Sequence, residues 1–238
     1  MKLLVKETKP RKSDLDVFLA GKLKGVNFNT GFYQVPHICR VDVQRPRNLV
    51  LWSNRKRCQD KANCALIFYE YDCRFDGPNG IYNILKYGSD YKVKQLIGEL
   101  KNYSFVVCPD YSVYGDFPNY RQIEAIAKSR EVGCVLASYG VNVVVNFRAT
   151  FEWTYEIALS GIDPQSTIAV GTLGALRDCE TRRLLKQSID ALVWTVQPKN
   201  LLVYGAAPSD VFESAIKRNV VIWQFDSDIK KAFSKENS

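Results

Sequence analysis

The fold class of this chain follows from one short stretch, Phe105-Val106-Val107-Cys108-Pro109-Asp110-Tyr111-Ser112. Its first four residues are continuously apolar, which is typical of a β-strand buried on both faces. Polar side chains follow at once, and a helical pattern begins near Pro118. The stretch therefore predicts a buried strand, a polar loop and a helix.

The same alternation of apolar runs and helical patterns continues along the chain from about residue 65. The predicted strands lie at 65–71, 105–108, 141–145, 167–170, 201–204 and 220–225. The predicted helices lie at 92–100, 118–132, 151–159, 178–194 and 209–218. This order indicates an α/β fold with a mostly parallel sheet. Six strands, or seven if Leu49–Trp52 contributes, leave two alternatives open: an irregular β/α barrel, which we favour, and an open doubly wound sheet.

Lysine and arginine are distributed unevenly along the 238 residues, whose formal net charge is +8. Residues 1–61 hold 14 of these basic residues against five acidic ones, a balance of +9. Residues 62–238 hold 19 against 20, a balance of −1. We therefore predict a basic N-terminal segment at 1–61 that packs on or extends from the core, a single α/β domain at 62–229, and a flexible tail at 230–238.

The basic segment is the predicted contact with nucleic acid. It combines Lys9-Pro10-Arg11-Lys12 with a second cluster near Trp52. Localised positive charge beside aromatic side chains is what binding to a phosphate backbone requires, and a solvated basic face is the alternative. The predicted contacts are Arg45, Arg47, Arg55, Lys56 and Arg57.

The cysteine, histidine and apolar content excludes several classes of protein. No apolar run approaches the roughly 20 residues that span a bilayer, and the N-terminus lacks the apolar stretch of a secretory signal. The seven cysteines are odd in number, and we expect reduced thiols in a cytoplasm. His37 is the only histidine, which excludes metal sites with two histidines, and we expect it to have a structural hydrogen bond.

Loops that leave the carboxyl ends of parallel strands converge at one edge of the sheet, where ligands bind. The predicted ligand-binding residues in these loops are Arg74, Tyr111, Ser112, Arg148, Glu152, Trp153, Thr172, Gly174 and Gly205. Backbone N–H groups around Gly174 and Gly205 are suited to bind phosphate if helix N-termini lie nearby. The alternative is that these glycines only turn the chain out of a strand.

Three aspartates in the same loops, Asp72, Asp76 and Asp110, are the predicted catalytic and metal-binding residues. Mg²⁺ is usually held by one or two carboxylates together with waters and substrate phosphates, which makes Mg²⁺ the expected cofactor of an enzyme with this site. In the alternative, Asp72 and Asp76 pair with Arg74 or cap turns, and Asp110 or Asp116 caps the helix that begins near Pro118. We expect Arg130, by contrast, to bind a backbone carbonyl away from Asp110.

A recognisable pattern runs between residues 65 and 205. It comprises 68–76, 109–112, 117–118, 129–130, 161–162, 169–174 and 202–205, and its most specific element is Pro109-Asp110-Tyr111-Ser112. The pattern resembles an uncharacterised family of bacteria and their phages, catalogued as domain of unknown function 4417. The chain departs from the family pattern near Asn146, where a proline is usual, and near Ser138, where a glutamine is usual. The resemblance implies no reaction, but it implies a phage or mobile-element setting inside a bacterial host cell.

The leading hypothesis is a nucleic-acid-associated protein of a phage or mobile element, with DNA or RNA as its partner. If it is an enzyme, we expect metal-dependent phosphodiester chemistry at the strand-end loops. One alternative is a nucleotide-binding or small-molecule-binding protein that acts in the conflict between phage and host. Another is an interaction module whose basic segment binds an acidic host protein. No membrane partner is expected.

Overall fold

Seven parallel strands form one sheet in this computed structural model, which describes residues 26–28 and 31–228. The strands are β1 (Asn48–Leu51), β2 (Cys64–Ile67), β3 (Phe105–Val107), β4 (Val143–Asn146), β5 (Thr167–Gly171), β6 (Asn200–Tyr204) and β7 (Val221–Phe225). All six regions predicted as strands are confirmed, and Leu49–Trp52 supplies the seventh. The five inner strands are buried throughout, as continuous apolar runs require.

The strands follow one another in the sheet in the order of the sequence, from β1 to β7. Every neighbouring pair is parallel. A doubly wound sheet reverses its strand order at a switch point, and no reversal occurs here. Because crossovers between parallel strands are right-handed, this single direction of travel places the connecting helices on one face. The sheet is a curled half-barrel, so the barrel-like alternative is confirmed over the doubly wound one.

The curl of the sheet brings together side chains from distant strands. Tyr69 follows β2, and Tyr204 ends β6, four strand positions away. In a flat sheet those positions are separated by about 19 Å. The two rings instead stack with their centroids 5.2 Å apart and their planes 9° from parallel. The face that carries them is therefore concave.

Side chains of the inner strands alternate between two hydrophobic cores, as the twofold repeat of a strand requires. In β6, Leu201 and Val203 pack on the helix side of the sheet, while Leu202 and Tyr204 lie on the concave side. The same alternation occurs in β2, β3 and β5. The helices therefore cover one face, and the other face packs against itself and against the chain that precedes β1.

The helices are α1 (Asp72–Phe75), α2 (Ile81–Tyr87), α3 (Asp90–Leu100), α4 (Asn119–Ser138), α5 (Tyr155–Leu159), α6 (Cys179–Val196) and α7 (Glu213–Lys217). Neither α1 nor α2 was predicted from the sequence, and the helix predicted at 209–218 is longer than α7. Conversely, α4 continues beyond the predicted end at 132. Gly133 does not interrupt α4 but lets it approach β3, because a Cβ there would lie 2.4 Å from Cys108 Sγ.

The sheet begins inside the basic segment 1–61, since β1 is one of its two edge strands. Val43 is buried in the concave core, and the guanidinium of Arg45 lies 5.2 Å from the ring centroid of Phe225. The cluster at 9–12 and the predicted tail at 230–238 lie outside the described residues. In the described part of the chain, no helix has both the length and the apolar character needed to cross a membrane.

Candidate functional site at the carboxyl ends of the strands

Asp110 and Arg148 form the central ion pair of the strand-end loops. Asp110 lies three residues after β3, and Arg148 lies two residues after β4. Nε of Arg148 donates to Oδ1 of Asp110 at 2.9 Å, and Nη2 donates to Oδ2. Such a two-pronged contact fixes the plane of the guanidinium as well as its position. The side chains are 26% exposed for Arg148 and 10% for Asp110, so solvent reaches the arginine more than the aspartate.

A buried network continues from this pair across the concave face. Asn146 Nδ2 donates to Oδ1 of Asp110 at 2.7 Å, and the Tyr69 hydroxyl donates to Oδ1 of Asn146 at 2.8 Å. The ring of Tyr69 is the one that stacks on Tyr204. Gly171 is required beneath it, because a Cβ at that position would lie 2.7 Å from the Tyr69 ring. The residues of this network stand at the carboxyl ends of β2 to β6, so five strands support the Asp110–Arg148 pair.

The charge states of this network follow from burial and pairing. Burial by itself lowers the pKa of Arg148, because it disfavours the charged form. The attraction of the Asp110 carboxylate is larger than this effect and holds the pKa of Arg148 above its ordinary value. Burial raises the pKa of the Tyr69 hydroxyl well above its ordinary value. Tyr69 therefore stays protonated and remains a hydrogen-bond donor at physiological pH.

Asp76 belongs to a second group beside the first. Its Oδ2 accepts from Nζ of Lys128 on α4, and its Oδ1 accepts from the Tyr111 hydroxyl at 3.2 Å. Lys128 Nζ also lies 4.4 Å and 4.5 Å from the ring centroids of Tyr82 and Tyr111, where the ring faces attract a cation. Burial raises the pKa of Tyr111, which keeps its hydroxyl a donor. Lys128 was not among the predicted site residues.

Asp72 is held by Ser112. The Ser112 hydroxyl donates to Oδ1 of Asp72 at 2.9 Å, and the Ser112 backbone N–H donates to Oδ2 at 3.2 Å. These bonds connect the start of α1 to the loop after β3. Tyr111 and Ser112, predicted as ligand-binding residues, thus hold two of the predicted aspartates in place.

The three predicted metal ligands are each bound to a different partner. Among the described residues, oxygens of Asp72, Asp76 and Asp110 do not all lie within 4.8 Å of one another. Arg148, Lys128 and Ser112 occupy their carboxylates instead. A Mg²⁺ ion held by these aspartates stays a prediction, and it requires at least one carboxylate to exchange its present partner for the metal.

A small cavity lies behind the Asp110–Arg148 pair, between α4 and the sheet. Its volume of about 10 Å³ has room for a single water molecule. Arg130, 1% exposed, lines it together with Asn146 and Arg148. Arg130 donates to the carbonyl of Ala158, and its Nη1 has no partner among the described residues. A carbonyl contact was expected, but at the face opposite Asp110. Because α4 continues beyond Arg130 to Ser138, Arg130 instead lies beside Asn146 and Arg148, the partners of Asp110. Burial lowers the pKa of Arg130 to about 10.

The predicted glycine loops are organised by their own contacts. The Thr172 hydroxyl donates to the carbonyl of Ala206 at 2.9 Å and so joins the loops after β5 and β6. Gly205 lies against it with φ of +118°, and a Cβ there would be 2.4 Å from Thr172 Oγ1. Gly174 also has a positive φ of +79°. At the N-terminus of α6, a capping box between Asp178 and Thr181 occupies the backbone N–H groups of these two residues, which are therefore not available to a phosphate.

Three of the predicted ligand-binding residues take no part in the hydrogen bonds of the three aspartates. Arg74 is exposed on α1. Glu152 is exposed and Trp153 is half-buried, and both lie in the 3₁₀ turn that precedes α5. None of the three has a hydrogen bond to Asp72, Asp76 or Asp110 within the described parts of the chain.

The residues predicted to contact nucleic acid differ in exposure. The exposed ones are Arg45, Arg47, Lys56 and Arg57. Arg55 is only partly exposed: its guanidinium lies 3.7 Å from the Trp52 ring centroid, and its Nε lies 3.6 Å from Glu99. Burial lowers the pKa of Arg55. Arg55 therefore stabilises the segment after β1. Of the four exposed residues, Arg45 lies over Phe225 and Arg47 lies 3.8 Å from Asp60.

Three members of the network were not among the predicted site residues: Tyr69, Asn146 and Lys128. Asn146 ends β4, the position used to select the other residues, so the same rule would have found it. Tyr69 lies inside the strand predicted at 65–71, and only the earlier end of β2 at Ile67 places it beyond the strand. Lys128 lies in the middle of α4, far in sequence from any strand end. Only the packing of α4 on the loops after β2 and β3 brings it to the site.

The comparisons with known proteins agree with the pattern in the loops. The family model described as Domain of unknown function (DUF4417) matches residues 28–226. The chain is 25% identical over 193 residues to the Gene 1 protein of Mycobacterium phage L5, an alignment that covers 78% of this chain and 79% of that protein. It is 24% identical over 193 residues to the Gene 1 protein of Mycobacterium phage D29, covering 78% of this chain and 67% of that protein. No solved structure gives a match. Because the family model spans most of the sequence, the resemblance is confirmed, and the chain belongs to the family described as Domain of unknown function (DUF4417).

Proposed function

We propose that this protein associates with nucleic acid in a phage or mobile-element setting and binds phosphate groups at the concave rim formed by the carboxyl ends of the strands. The observation that carries the proposal is the Asp110–Arg148 pair. Asp110 engages Nε and Nη2 of Arg148, while Nη1 has no hydrogen-bond partner among the described residues. A guanidinium held in this way offers a fixed, partly exposed donor edge to an anion.

A second guanidinium supports the assignment to a polyanion. Arg45 is exposed and lies over Phe225 at the end of β7. Phe225 pairs in register with Tyr204, and Tyr204 stacks on Tyr69. Arg45 and Arg148 are thus connected by packed side chains across the concave face. Two guanidinium groups on one rim suit a ligand with several phosphates.

The basic segment adds sequence-independent attraction. Within 26–61, the seven basic residues outnumber the two acidic ones, a balance of +5. Positive charge confined to one part of a protein steers anionic partners and strengthens their binding at low salt. The two relatives described above come from phages, which supports the phage setting.

Binding of labelled DNA and RNA oligonucleotides, followed by fluorescence anisotropy over a salt series, tests the proposal. We expect log K to fall linearly with log salt concentration. Arg45→Ala should lower the slope by about one phosphate contact. Arg148→Lys keeps the charge but loses the two-pronged geometry and should weaken binding. Arg183→Ala is the control, because Arg183 is exposed on α6 and pairs with Glu180. Absent or salt-insensitive binding to every oligonucleotide would overturn the proposal.

Metal-dependent phosphodiester cleavage is the catalytic form of this proposal, with Asp72, Asp76 and Asp110 as ligands of Mg²⁺. It requires the carboxylates to release the partners that they have in the unliganded protein. Cleavage of the bound oligonucleotide that depends on Mg²⁺ and disappears in Asp110→Ala is the expected result. Cleavage that persists in Asp110→Ala would exclude the aspartate as a catalytic residue.

The alternative ligands are separated by two simple measurements. A nucleotide or other small molecule should raise the melting temperature through preferential binding to the folded state, without a response to oligonucleotides. An acidic host protein should stay bound to the purified chain after nuclease treatment, whereas co-purified nucleic acid should not.

A further inference from the structure

The side chains of His37, Cys39 and Asp163 place three kinds of metal ligand close together. One ligand atom from each residue lies within 4.8 Å of the other two. No other set of three or more histidine, cysteine, aspartate and glutamate side chains meets this condition in residues 26–28 and 31–228. We propose that these three residues form a zinc-binding site.

The mixture of donor atoms favours zinc over the hard cations. Imidazole nitrogen, thiolate sulfur and carboxylate oxygen are all ordinary ligands of Zn²⁺. Mg²⁺ and Ca²⁺ prefer oxygen ligands alone, and a thiolate selects softer metals. A tetrahedral zinc ion takes four ligands, so three protein ligands leave one position for water.

The backbone around the site is held in register. Ile38 and Ile162 form a parallel bridge, and the Ile38 N–H donates to the carbonyl of Gly161 at 3.1 Å. Gly161 has φ of +68°, and a Cβ there would lie 2.8 Å from the carbonyl oxygen of Pro36. The segment around Ile38 and the segment around Ile162 are therefore in close backbone contact. This contact fixes the positions of the neighbouring ligands, His37, Cys39 and Asp163.

The Asp163 carboxylate is already oriented for the site. Its Oδ2 accepts from the backbone N–H of Arg40 at 2.8 Å, and its Oδ1 lies 2.8 Å from His37 Nε2. Bonds of about 2.0–2.3 Å to a tetrahedral zinc ion place its ligands roughly 3.3–3.8 Å apart. Zinc can therefore replace the hydrogen bond between His37 and Asp163 after a small opening of that contact, while the bond from Arg40 holds the carboxylate in place.

The exposure of the three side chains permits metal entry. The side chains of His37 and Asp163 are 31% and 35% exposed, and Cys39 is exposed. On binding, Cys39 releases its thiol proton to solvent and His37 presents a nitrogen lone pair to the metal. Affinity for the metal should therefore rise with pH.

The site lies on the opposite edge of the sheet from the phosphate-binding rim. Asp163 precedes β5, at the amino ends of the strands. The metal would link the segment at 36–40 to the loop before β5, with His37 and Asp163 separated by 126 positions in the sequence. A cross-link of this kind stabilises the entry of the N-terminal segment into the fold, and it does not depend on the proposed function.

Titration of the metal-free, reduced protein with Co²⁺ tests the site. We expect the visible bands of tetrahedral Co²⁺ and the near-ultraviolet charge-transfer band of a Co²⁺–thiolate bond, both lost when Zn²⁺ is added in excess. Cys39→Ser should abolish the charge-transfer band. His37→Ala and Asp163→Asn should each weaken Co²⁺ binding by about tenfold or more.

Cys179→Ser is the matched control, because Cys179 is exposed on α6 and reduced like Cys39. Its spectrum should equal that of the unchanged protein. The proposal is overturned if no charge-transfer band appears at any Co²⁺ concentration, or if the band survives Cys39→Ser. Far-ultraviolet circular dichroism of each variant separates loss of the site from loss of the fold.

Discussion

The rings of Tyr69 and Tyr204 stack 5.2 Å apart, although their strands are four positions apart in the sheet. This contact closes the concave face of the half-barrel. It also connects the two guanidinium groups proposed to bind phosphate, because Tyr69 donates to Asn146 and Tyr204 pairs in register with Phe225. The same aromatic pair therefore maintains the curl of the sheet and the geometry of the rim.

Removal of the Tyr69 hydroxyl should destabilise the protein. Tyr69→Phe keeps the stacked ring but leaves the buried amide of Asn146 without its donor, which should lower the free energy of unfolding by about 1–2 kcal/mol. Tyr91→Phe is the control, because Tyr91 is 69% exposed and its hydroxyl accepts from Gln95 on the same helix. Urea unfolding measures the free energy of unfolding of both variants. Equal losses in the two variants would contradict the role given to the network.

The Asp110–Arg148 pair should contribute more than a surface pair of the same geometry. Arg182 and Asp210 form a similar two-pronged contact, but their side chains are 38% and 60% exposed. We expect Asp110→Asn to lower the free energy of unfolding by about 1–3 kcal/mol, since it leaves a largely buried guanidinium with a weaker partner. Asp210→Asn should cost less than about 1 kcal/mol. Chemical unfolding at low and high salt compares the free energies of unfolding of the two variants. A larger loss of stability in Asp210→Asn than in Asp110→Asn would count against the prediction.

Two glycines should respond to alanine in opposite directions. A methyl group at Gly171 would meet the Tyr69 ring at 2.7 Å and Arg148 Nη2 at 3.3 Å, whereas a methyl group at Gly98 would meet nothing within 4 Å. Gly171→Ala should therefore destabilise the fold by about 1–3 kcal/mol. Gly98→Ala, inside α3, should stabilise it by about 0.5–1 kcal/mol. Thermal unfolding shows whether each variant is more or less stable than the unchanged protein. A Gly171→Ala variant with unchanged stability would show that the rim tolerates displacement of Tyr69.

Glu131 should make stability depend on pH. Its Oε2 is buried without a hydrogen-bond partner in the described part of the chain, and burial raises the pKa of Glu131 to about 8 from an ordinary 4.5. The folded protein therefore holds this proton more tightly than the unfolded chain does. The resulting stability is fully present below pH 4.5 and is lost as the pH rises toward 8.

Glu131→Gln should remove this dependence, because the amide carries no titratable proton. The melting temperature of the variant should exceed that of the unchanged protein at pH 9 and approach it near pH 5. Glu124→Gln, on the exposed side of the same helix, should leave the pH profile unchanged. A profile in Glu131→Gln that still falls between pH 5 and 8 would assign the effect to other groups.

The cysteines should react with thiol reagents according to burial. Cys39, Cys73 and Cys179 are exposed and should be modified quickly in the folded protein. Cys108 and Cys134 are buried, and burial raises the pKa of each to about 11, which leaves little of the reactive thiolate. Mass spectrometry after a short exposure to iodoacetamide identifies the modified residues. Early modification of Cys108 would show that α4 separates readily from β3.

The sequence by itself determined the parallel α/β class and the positions of six strands, because continuously apolar runs that alternate with helical patterns mark the strands of a parallel sheet. It left open whether Leu49–Trp52 contributes a seventh strand. It also identified Asp110 and Arg148, since polar residues directly after such strands must stand at the carboxyl edge of the sheet. It did not determine which groups pair there. The bond from Lys128 to Asp76 and the stack of Tyr69 on Tyr204 join residues from distant parts of the chain.

Those pairings depend on the curl of the sheet and on the close approach of α4 to β3, and neither leaves a periodic signal in the sequence. The same reason explains why α1 and α2 were not predicted. They are four and seven residues long, too short for a helical period to show, and they are stabilised by packing against other parts of the molecule. The tertiary structure also decided the roles of the three aspartates, because only in space do Arg148, Lys128 and Ser112 reach their carboxylates.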